Sequence, residues 1–184
     1  VLAATTRLLL LPQRAGVSNF LSRLGVTRNG RNLFDWTADF TEDGDGNVVL
    51  PSTLNSSEAV TLIRNEVMPV IRASLTNLSR VTDPAFLLEL AAEETHTEAA
   101  TLDFGDVQLL RAMLRASLAF GHTLGAHNLS LSITKLRQLS DTDQLTFGRL
   151  LKDNTSLFGV GNAGDLTASR TELLLAADHY TDAS

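Results

Sequence analysis

The chain has 184 residues, of which 43% are apolar and 20% charged, so it is long and apolar enough to form one globular domain with its own core. Its formal net charge of −6 has the opposite sign to that of proteins that follow phosphate backbones, and we therefore expect no nucleic-acid partner. The absence of cysteine excludes disulfides, thiolate metal sites and cysteine nucleophiles, and no apolar run approaches the roughly 18 residues of a membrane span.

Two short helices are predicted at the start of the chain. Residues 2–11 form the first, and Pro12 ends it because proline has no N–H to donate. Ser18 is the predicted cap of the second helix, NFLSRL, and Gly25 closes it. Asn29-Gly30 then marks a turn, and LFDWTADF has the alternating apolar residues of a short extended segment.

The middle of the chain is predicted to contain a long helix and a hairpin. Ser56 or Ser57 caps the helix, which starts near Glu58, and Pro69 is expected to kink or divide it. Residues 86–90 and 99–104 are predicted to pair as a hairpin, although LLELAA is equally compatible with a helix.

The clearest helix starts after Asp103 or Asp106 and continues from about Val107 beyond Phe120. Its apolar residues surround it almost completely, which is typical of a central buried helix. Further helices are predicted over 130–139, from Asp141 or Thr142 to residue 151, and over 163–180. We therefore predict an all-α or α-rich fold of antiparallel helical hairpins or an array, with one or two small β-hairpins.

The chain starts at Val1 with helix-like sequence, so we interpret residues 1–184 as a single helical domain and as a processed or partial chain.

Three glycine-containing motifs match active-site signatures only in their letters. GVGNAG, residues 159–164, has the G-x-G-x-x-G spacing, but no second strand can follow it, so we predict a loop between helices. GHTLG, residues 121–125, lies near the end of a long helix, where its glycines fit a C-cap better than a nucleophile elbow. Asp103-Phe104-Gly105 lacks the other kinase motifs, and we interpret its aspartate as a helix N-cap.

One acidic cluster is a candidate calcium site. Asp43, Asp45 and Asn47 take positions three, five and seven of an EF-hand loop when Gly46 is set at position six. Ser52 then replaces the bidentate glutamate. The alternative is an Asp-Gly turn between extended segments with no ion.

A polar stripe on the central helix is a candidate anion-binding strip. Gln108, Arg111, Arg115 and His122 share one side of the helix at spacings of three, four and seven residues. The alternative is an ordinary polar edge whose charges pair with carboxylates such as Glu89 or Glu93. His122 and His127 point about 140° apart on a helix and cannot share a metal ion from one face.

Several segments resemble a group of large secreted bacterial proteins of unknown function. They are TTRLLLLP, LFDWTADFTEDGDGNVVLP, LIRNEVMPVI, DFGDVQLLRAMLRASL and the final HYTDAS. In those proteins, tetratricopeptide-type repeats precede a helical region, although the repeat pattern itself is not present in this chain. The resemblance implies a secreted or cell-envelope helical scaffold and supplies no catalytic residues.

We therefore expect a non-catalytic scaffold or interaction module of a bacterial extracytoplasmic protein, whose partner is a protein or a surface polymer. No nucleophile–base pair, metal-ligand set or phosphate loop survives its structural context. The alternatives are a calcium-stabilised binding domain and a hydrolase whose site assembles from distant carboxylates.

Overall fold

The computed structural model describes residues 1–28, 36–38, 40, 42–44, 46, 54–92, 98–131 and 146–183. These residues are mostly α-helical and include two small antiparallel β-hairpins, which confirms the predicted α-rich class. The helices are α1 Leu2–Leu9, α2 Ala15–Arg23, α3 Ser56–Leu62, α4 Met68–Leu78, α5 Phe104–Ala126, α6 Phe147–Asp153 and α7 Ala163–Asp182. The strands are β1 Val26–Arg28, β2 Trp36–Ala38, β3 Leu87–Leu90 and β4 Ala100–Asp103.

The first two helices have the predicted order but different boundaries. A short 3₁₀ turn, Leu11–Gln13, follows α1 and contains Pro12 near its start. The expected cap at Ser18 was wrong, because α2 begins earlier and Arg14 is its N-cap residue. Gly25 follows α2 with a φ of 81°, a left-handed conformation that glycine adopts without steric cost.

Strand β2 confirms the extended segment predicted around Trp36. It pairs antiparallel with β1, and Thr27 stands opposite Thr37. The predicted turn at Asn29-Gly30 lies outside the described residues.

A capping box begins α3. The Asn55 side chain accepts from the backbone N–H of Ser57, and the Glu58 side chain accepts from the backbone N–H of Asn55. The predicted cap at Ser56 or Ser57 is therefore displaced to Asn55, whose amide oxygen reaches the free N–H groups of the first turn.

The predicted division of the long helix at Pro69 is confirmed. A π-helical segment, Ile63–Val67, separates α3 from α4, and the N–H of Met68 donates to the carbonyl of Ile63 five residues earlier. Proline offers no N–H and its ring crowds the preceding turn, so a wider turn before Pro69 relieves both problems.

The predicted second hairpin is also confirmed. Strands β3 and β4 pair antiparallel, with Leu87 opposite Asp103 and Leu90 opposite Ala100. Asp103 then caps α5 through a reciprocal pair of hydrogen bonds with Asp106, each 3.0 Å long. The aspartate of the Asp-Phe-Gly triplet is thus a helix cap, as predicted.

The core lies between α1, α4 and one side of α5. It consists of buried aliphatic side chains, namely Ala4, Met68, Ile71, Leu75, Leu78, Val107, Leu114 and Leu118. The prediction that α5 is buried all round was wrong, because Met113 and Phe120 are 60% and 62% exposed. Helices α4 and α7 cover two sides of α5, and its apolar third side is open among the described residues.

The glycines of GHTLG lie inside α5 and not at its C-cap, which is His127. At Gly121 a Cβ atom would lie 3.0 Å from the sulfur of Met68, and at Gly125 it would lie 2.5 Å from an Arg64 nitrogen. The C-cap prediction for these glycines was therefore wrong. Their lack of a side chain allows α5 to pack closely against the π segment and α4.

The remaining elements complete the layer beside α5. Thr146 caps α6, while the predicted helix over 130–139 and the predicted caps Asp141 and Thr142 lie mostly or wholly outside the described residues. The GVGNAG segment is a loop between helices, as predicted. Val160 forms an isolated antiparallel β-bridge with His127, and Asn162 caps α7.

No described helix has the length and apolarity that crossing a membrane requires.

Candidate functional site

Arg111, the centre of the predicted anion strip, is a structural cap of α4. Its side chain is buried and donates to the backbone carbonyls of Leu78 and Val81, the latter at 2.8 Å. It also donates to the amide oxygen of Gln108 at 2.8 Å. A guanidinium at the end of a helix satisfies carbonyls that have no partner within the helix and complements the helix dipole.

Arg115 and His122 of the strip are paired with carboxylates of α7. Arg115 donates to Glu172 at 2.8 Å, and the His122 Nδ1 lies 2.9 Å from an Asp165 oxygen. Because the carboxylate can only accept, Nδ1 carries the proton, and the His122 Nε2 accepts from Arg72 at 3.1 Å. Asp165 also accepts from Arg64 and from Asn162.

These contacts form a polar seam along the junction of α5 and α7. Its members are Gln108, Arg111, Arg115 and His122 on α5 and Asp165, Glu172, His179 and Asp182 on α7. The expected carboxylate Glu89 instead lies on β3 in the second hairpin, and Glu93 lies outside the described residues. The α7 residues that face the strip do have a sequence signal, which the expectation of Glu89 or Glu93 overlooked. Asp165, Glu172 and His179 repeat every seven residues, as Gln108, Arg115 and His122 do on α5.

Three buried nitrogens of the seam have no hydrogen-bond partner among the described residues. They are the Nε atoms of Arg111 and Arg115 and the Nδ1 of His179. Burial is the main cause that lowers the pKa of His179, and the nearby Arg111 and Arg115 lower it further. Burial likewise lowers the pKa of Arg111, against the opposing charge of Asp182. The lowered pKa favours the neutral form of His179, so the cationic donors of the seam are Arg111 and Arg115, beside three carboxylates; anion binding there stays a prediction.

A cavity of about 280 Å³ opens beside the seam, between α4, α5 and α7. Arg72, Thr76, Arg115 and Glu172 line it. Glu172 already holds Arg115 here, so an incoming anion would have to compete with an anchored carboxylate.

The candidate calcium loop is only partly described. Asp45 and Asn47 lie outside the described residues. The N–H of Gly46 donates to the carbonyl of Asp43 at 3.1 Å, and Gly46 has a φ of 81°, so this end of the segment turns. The described part of the chain contains no group of three or more His, Asp or Glu side chains that could hold a metal ion. Calcium binding stays a prediction.

A second cavity, of about 400 Å³, lies between α2 and α3. Phe20, Leu62 and the ion pair Arg23–Glu58 at 2.6 Å line it. Glu66 also lines it and pairs at 2.9 Å with Arg14, which lies outside the lining. The hydrogen bond from Arg23 is the main cause that lowers the pKa of Glu58. A glycosidase acid needs the opposite shift, so Glu58 is not suited to donate a proton at neutral pH.

The most distinctive surface is the side of α5 and α7 that faces away from α4. It exposes large apolar side chains on both helices, namely Leu109, Met113 and Phe120 on α5 and Leu166, Leu173, Leu174 and Tyr180 on α7. We call these residues, with the exposed positions Ala116, Arg170 and Ala177 between them, the outer face.

The two stripes of the outer face lie side by side because of the way α5 and α7 pack. Their cross-helix hydrogen bonds pair Gln108 with Asp182 and His122 with Asp165, so the helices are antiparallel. Viewed around each helix at 100° per residue, the centre of the apolar stripe stands about 140° from the centre of the polar seam, in the same rotational sense on α5 and on α7. Because the helices are antiparallel, this shared rotation brings both stripes to the same side of the helix pair, where they lie next to each other.

Comparisons with protein-family models, with curated proteins and with solved structures find no match for this chain. Its function has to be inferred from the surfaces and sites that it presents.

Proposed function

We propose that this chain is a non-catalytic helical interaction module of a bacterial extracytoplasmic protein and that it binds a protein partner through the outer face. The observation that carries the proposal is the exposure of large apolar side chains in one continuous patch. Leu173 and Leu174 are 54% and 57% exposed, and Phe120 and Tyr180 are 62% and 64% exposed.

The energetic argument concerns how many such residues share one surface. Burying one large apolar side chain completely contributes about 1.5–3 kcal/mol, so a patch of seven leaves a large favourable free energy available to a partner. Isolated exposed leucines are common on proteins, but a contiguous apolar patch of several hundred Å² usually marks an interaction site.

The packing of α7 supports the same conclusion. This helix packs mainly against α5, and Ser169 is its one buried residue among those described. Leu166, Leu173 and Leu174 are exposed and so contribute to no core formed by the described residues.

The location follows from the resemblance in the sequence, which implies a secreted or cell-envelope scaffold. We further propose that the antiparallel packing of α5 and α7 is one unit of an array of helical hairpins. In such arrays each unit packs against its neighbours along the chain.

Site-specific photocrosslinking tests the proposed function. A photoreactive amino acid placed at Met113 or Leu173 should give protein adducts in cells that produce the chain natively. The same residue at Leu87, which is 59% exposed on strand β3, is the matched control. Absence of adducts from both outer-face positions, or equal labelling from Leu87, would contradict the proposal.

A further inference from the structure

We propose that the outer face docks against the outer face of a second copy of this chain and forms a symmetric dimer. This inference rests on the proposed function, because it names the partner of the same surface.

The spacing of the exposed residues matches helix-on-helix packing. On α5 the positions Leu109, Met113, Ala116 and Phe120 follow one another at four, three and four residues. On α7 the positions from Leu166 through Arg170, Leu173 and Ala177 to Tyr180 alternate four and three residues. This is the heptad spacing by which side chains of one helix fit between those of a facing helix.

The heights of these residues along the two helices make the face complementary to itself. The hydrogen bonds between α5 and α7 place Leu109 near the level of Tyr180, and Met113 near that of Leu173 and Ala177. Rotation about a twofold axis parallel to the helices leaves the position of each residue along that axis unchanged. Such an axis would place α5 of one copy against α7 of the other with these residues still at the same level. Met113 would then meet the partner's Leu173, and the four helices would pack as a bundle layer.

The charges favour this arrangement over a lipid surface. Arg170 is the one charged residue within the outer face, and it stands near the level of Phe120, so the dimer would set a guanidinium against an aromatic ring. Helices that bind anionic membranes carry lysines and arginines beside their apolar face, whereas this chain has a net charge of −6.

The size of the face sets the expected affinity. Two helices about 10 Å wide and about 22 Å long along the apolar stripe offer a flat area of about 450 Å² per copy. Stable interfaces bury about 800 Å² of accessible surface per partner, so this one lies at the low end even after allowance for its corrugation. We expect a dimer that dissociates in the micromolar range.

Sedimentation equilibrium between about 1 and 300 µM tests the inference. The apparent mass should rise with concentration from 19.8 kDa to about twice that value. Met113→Glu combined with Leu173→Glu should weaken the dimer by at least about 30-fold, since burying a charge at the centre of an interface removes its main contacts. Leu87→Glu introduces the same charge at an equally exposed leucine and should leave the dimer intact.

Disulfide formation provides a second test that does not depend on the glutamate variants. The chain has no cysteine, so in a mixture of Met113→Cys and Leu173→Cys proteins every disulfide joins introduced positions, either as the mixed pair or as a like pair. The proposed axis predicts that the mixed pair forms covalent dimers faster than Met113→Cys does alone. Equal rates for the two would overturn this packing.

The inference and the proposed function can fail separately. A chain that stays at 19.8 kDa up to 300 µM, with photocrosslinked adducts to another protein at Met113, overturns the second copy and keeps the interaction module. A monomer with no adducts contradicts both. Adducts made only of two copies of this chain support both.

Discussion

At the scale of single residues, buried polar side chains decide how α4, α5 and α7 meet. Arg111 connects the end of α4 to α5, since its guanidinium reaches the carbonyls of Leu78 and Val81. Burial, and after it the charges of Arg111 and Arg115, lowers the pKa of His179. The strip predicted as an anion site is thus occupied largely by contacts that join helices, while its unpartnered nitrogens still offer donors.

His179 should make the free energy of unfolding depend on pH. Its pKa in the folded chain is below the ordinary value of 6.5, so folding favours the neutral imidazole. The unfolded chain therefore binds more protons as the pH falls, and stability should decrease below about pH 6.5. Urea unfolding of the wild type and of His179→Gln between pH 8 and pH 5 measures this contribution.

The His179→Gln variant should lose less stability over that interval than the wild type does. Glu58 also has a lowered pKa, but its contribution is lost only near and below its ordinary value of 4.5, outside the interval. Parallel pH curves for the two proteins would show that His179 is not held neutral by the fold.

At the scale of elements, short-range chemistry sets where each helix begins and ends. Both capping boxes join residues three apart, Asn55 with Glu58 and Asp103 with Asp106. The interior of α5 is different, because Gly121 is required by a neighbouring element. A Cβ atom at Gly121 would lie 3.0 Å from the Met68 sulfur and 3.3 Å from an Ile63 carbon, closer than van der Waals contact, and no local signal distinguishes this role from a helix end.

Gly121→Val should destabilise the chain by about 1–3 kcal/mol, because the new side chain has to displace α5 from Met68 and Ile63. Ser117→Val is the matched control: it introduces the same branched residue into α5 at an exposed position and should change stability by about 0.5 kcal/mol or less. Urea midpoints report the difference, and equal effects of the two substitutions would show that Gly121 is not a packing contact.

At the scale of the whole molecule, the apolar residues divide between a closed core and an open surface. The core fills the space between α1, α4 and α5, whereas the outer face covers the opposite side of α5 together with α7. The predicted calcium loop also belongs to this scale, since an ion that binds only the folded chain stabilises the whole of it.

Calcium should raise the melting temperature of the chain relative to a chelator if Asp43 and Asp45 hold the ion. At a free concentration 100 times the dissociation constant, binding adds about 2.7 kcal/mol of stability. The Asp43→Asn, Asp45→Asn double variant should lose the shift. Identical melts of the wild type with calcium and with chelator would remove this hypothesis.

The sequence by itself determined the α-rich class, the second hairpin, the division at Pro69 and the glycine-rich loop before α7. These features depend on backbone hydrogen bonding, proline geometry and capping over a few residues, so local patterns are sufficient. The same reasoning misplaced two N-caps. Several polar residues compete for the start of α3 near Asn55, and α2 begins after Arg14, before the serine that was predicted to cap it.

Only the tertiary structure decided the partners of Arg111, Arg115 and His122 and the side of α5 that stays open. The contacts of these residues with other elements span from 30 positions, for Arg111 to Val81, to 57, for Arg115 to Glu172. The sequence of a helix that is apolar almost all round does not indicate which of its sides faces the core. Which side becomes core and which becomes outer face is set by the elements that pack against it, and that depends on the whole fold.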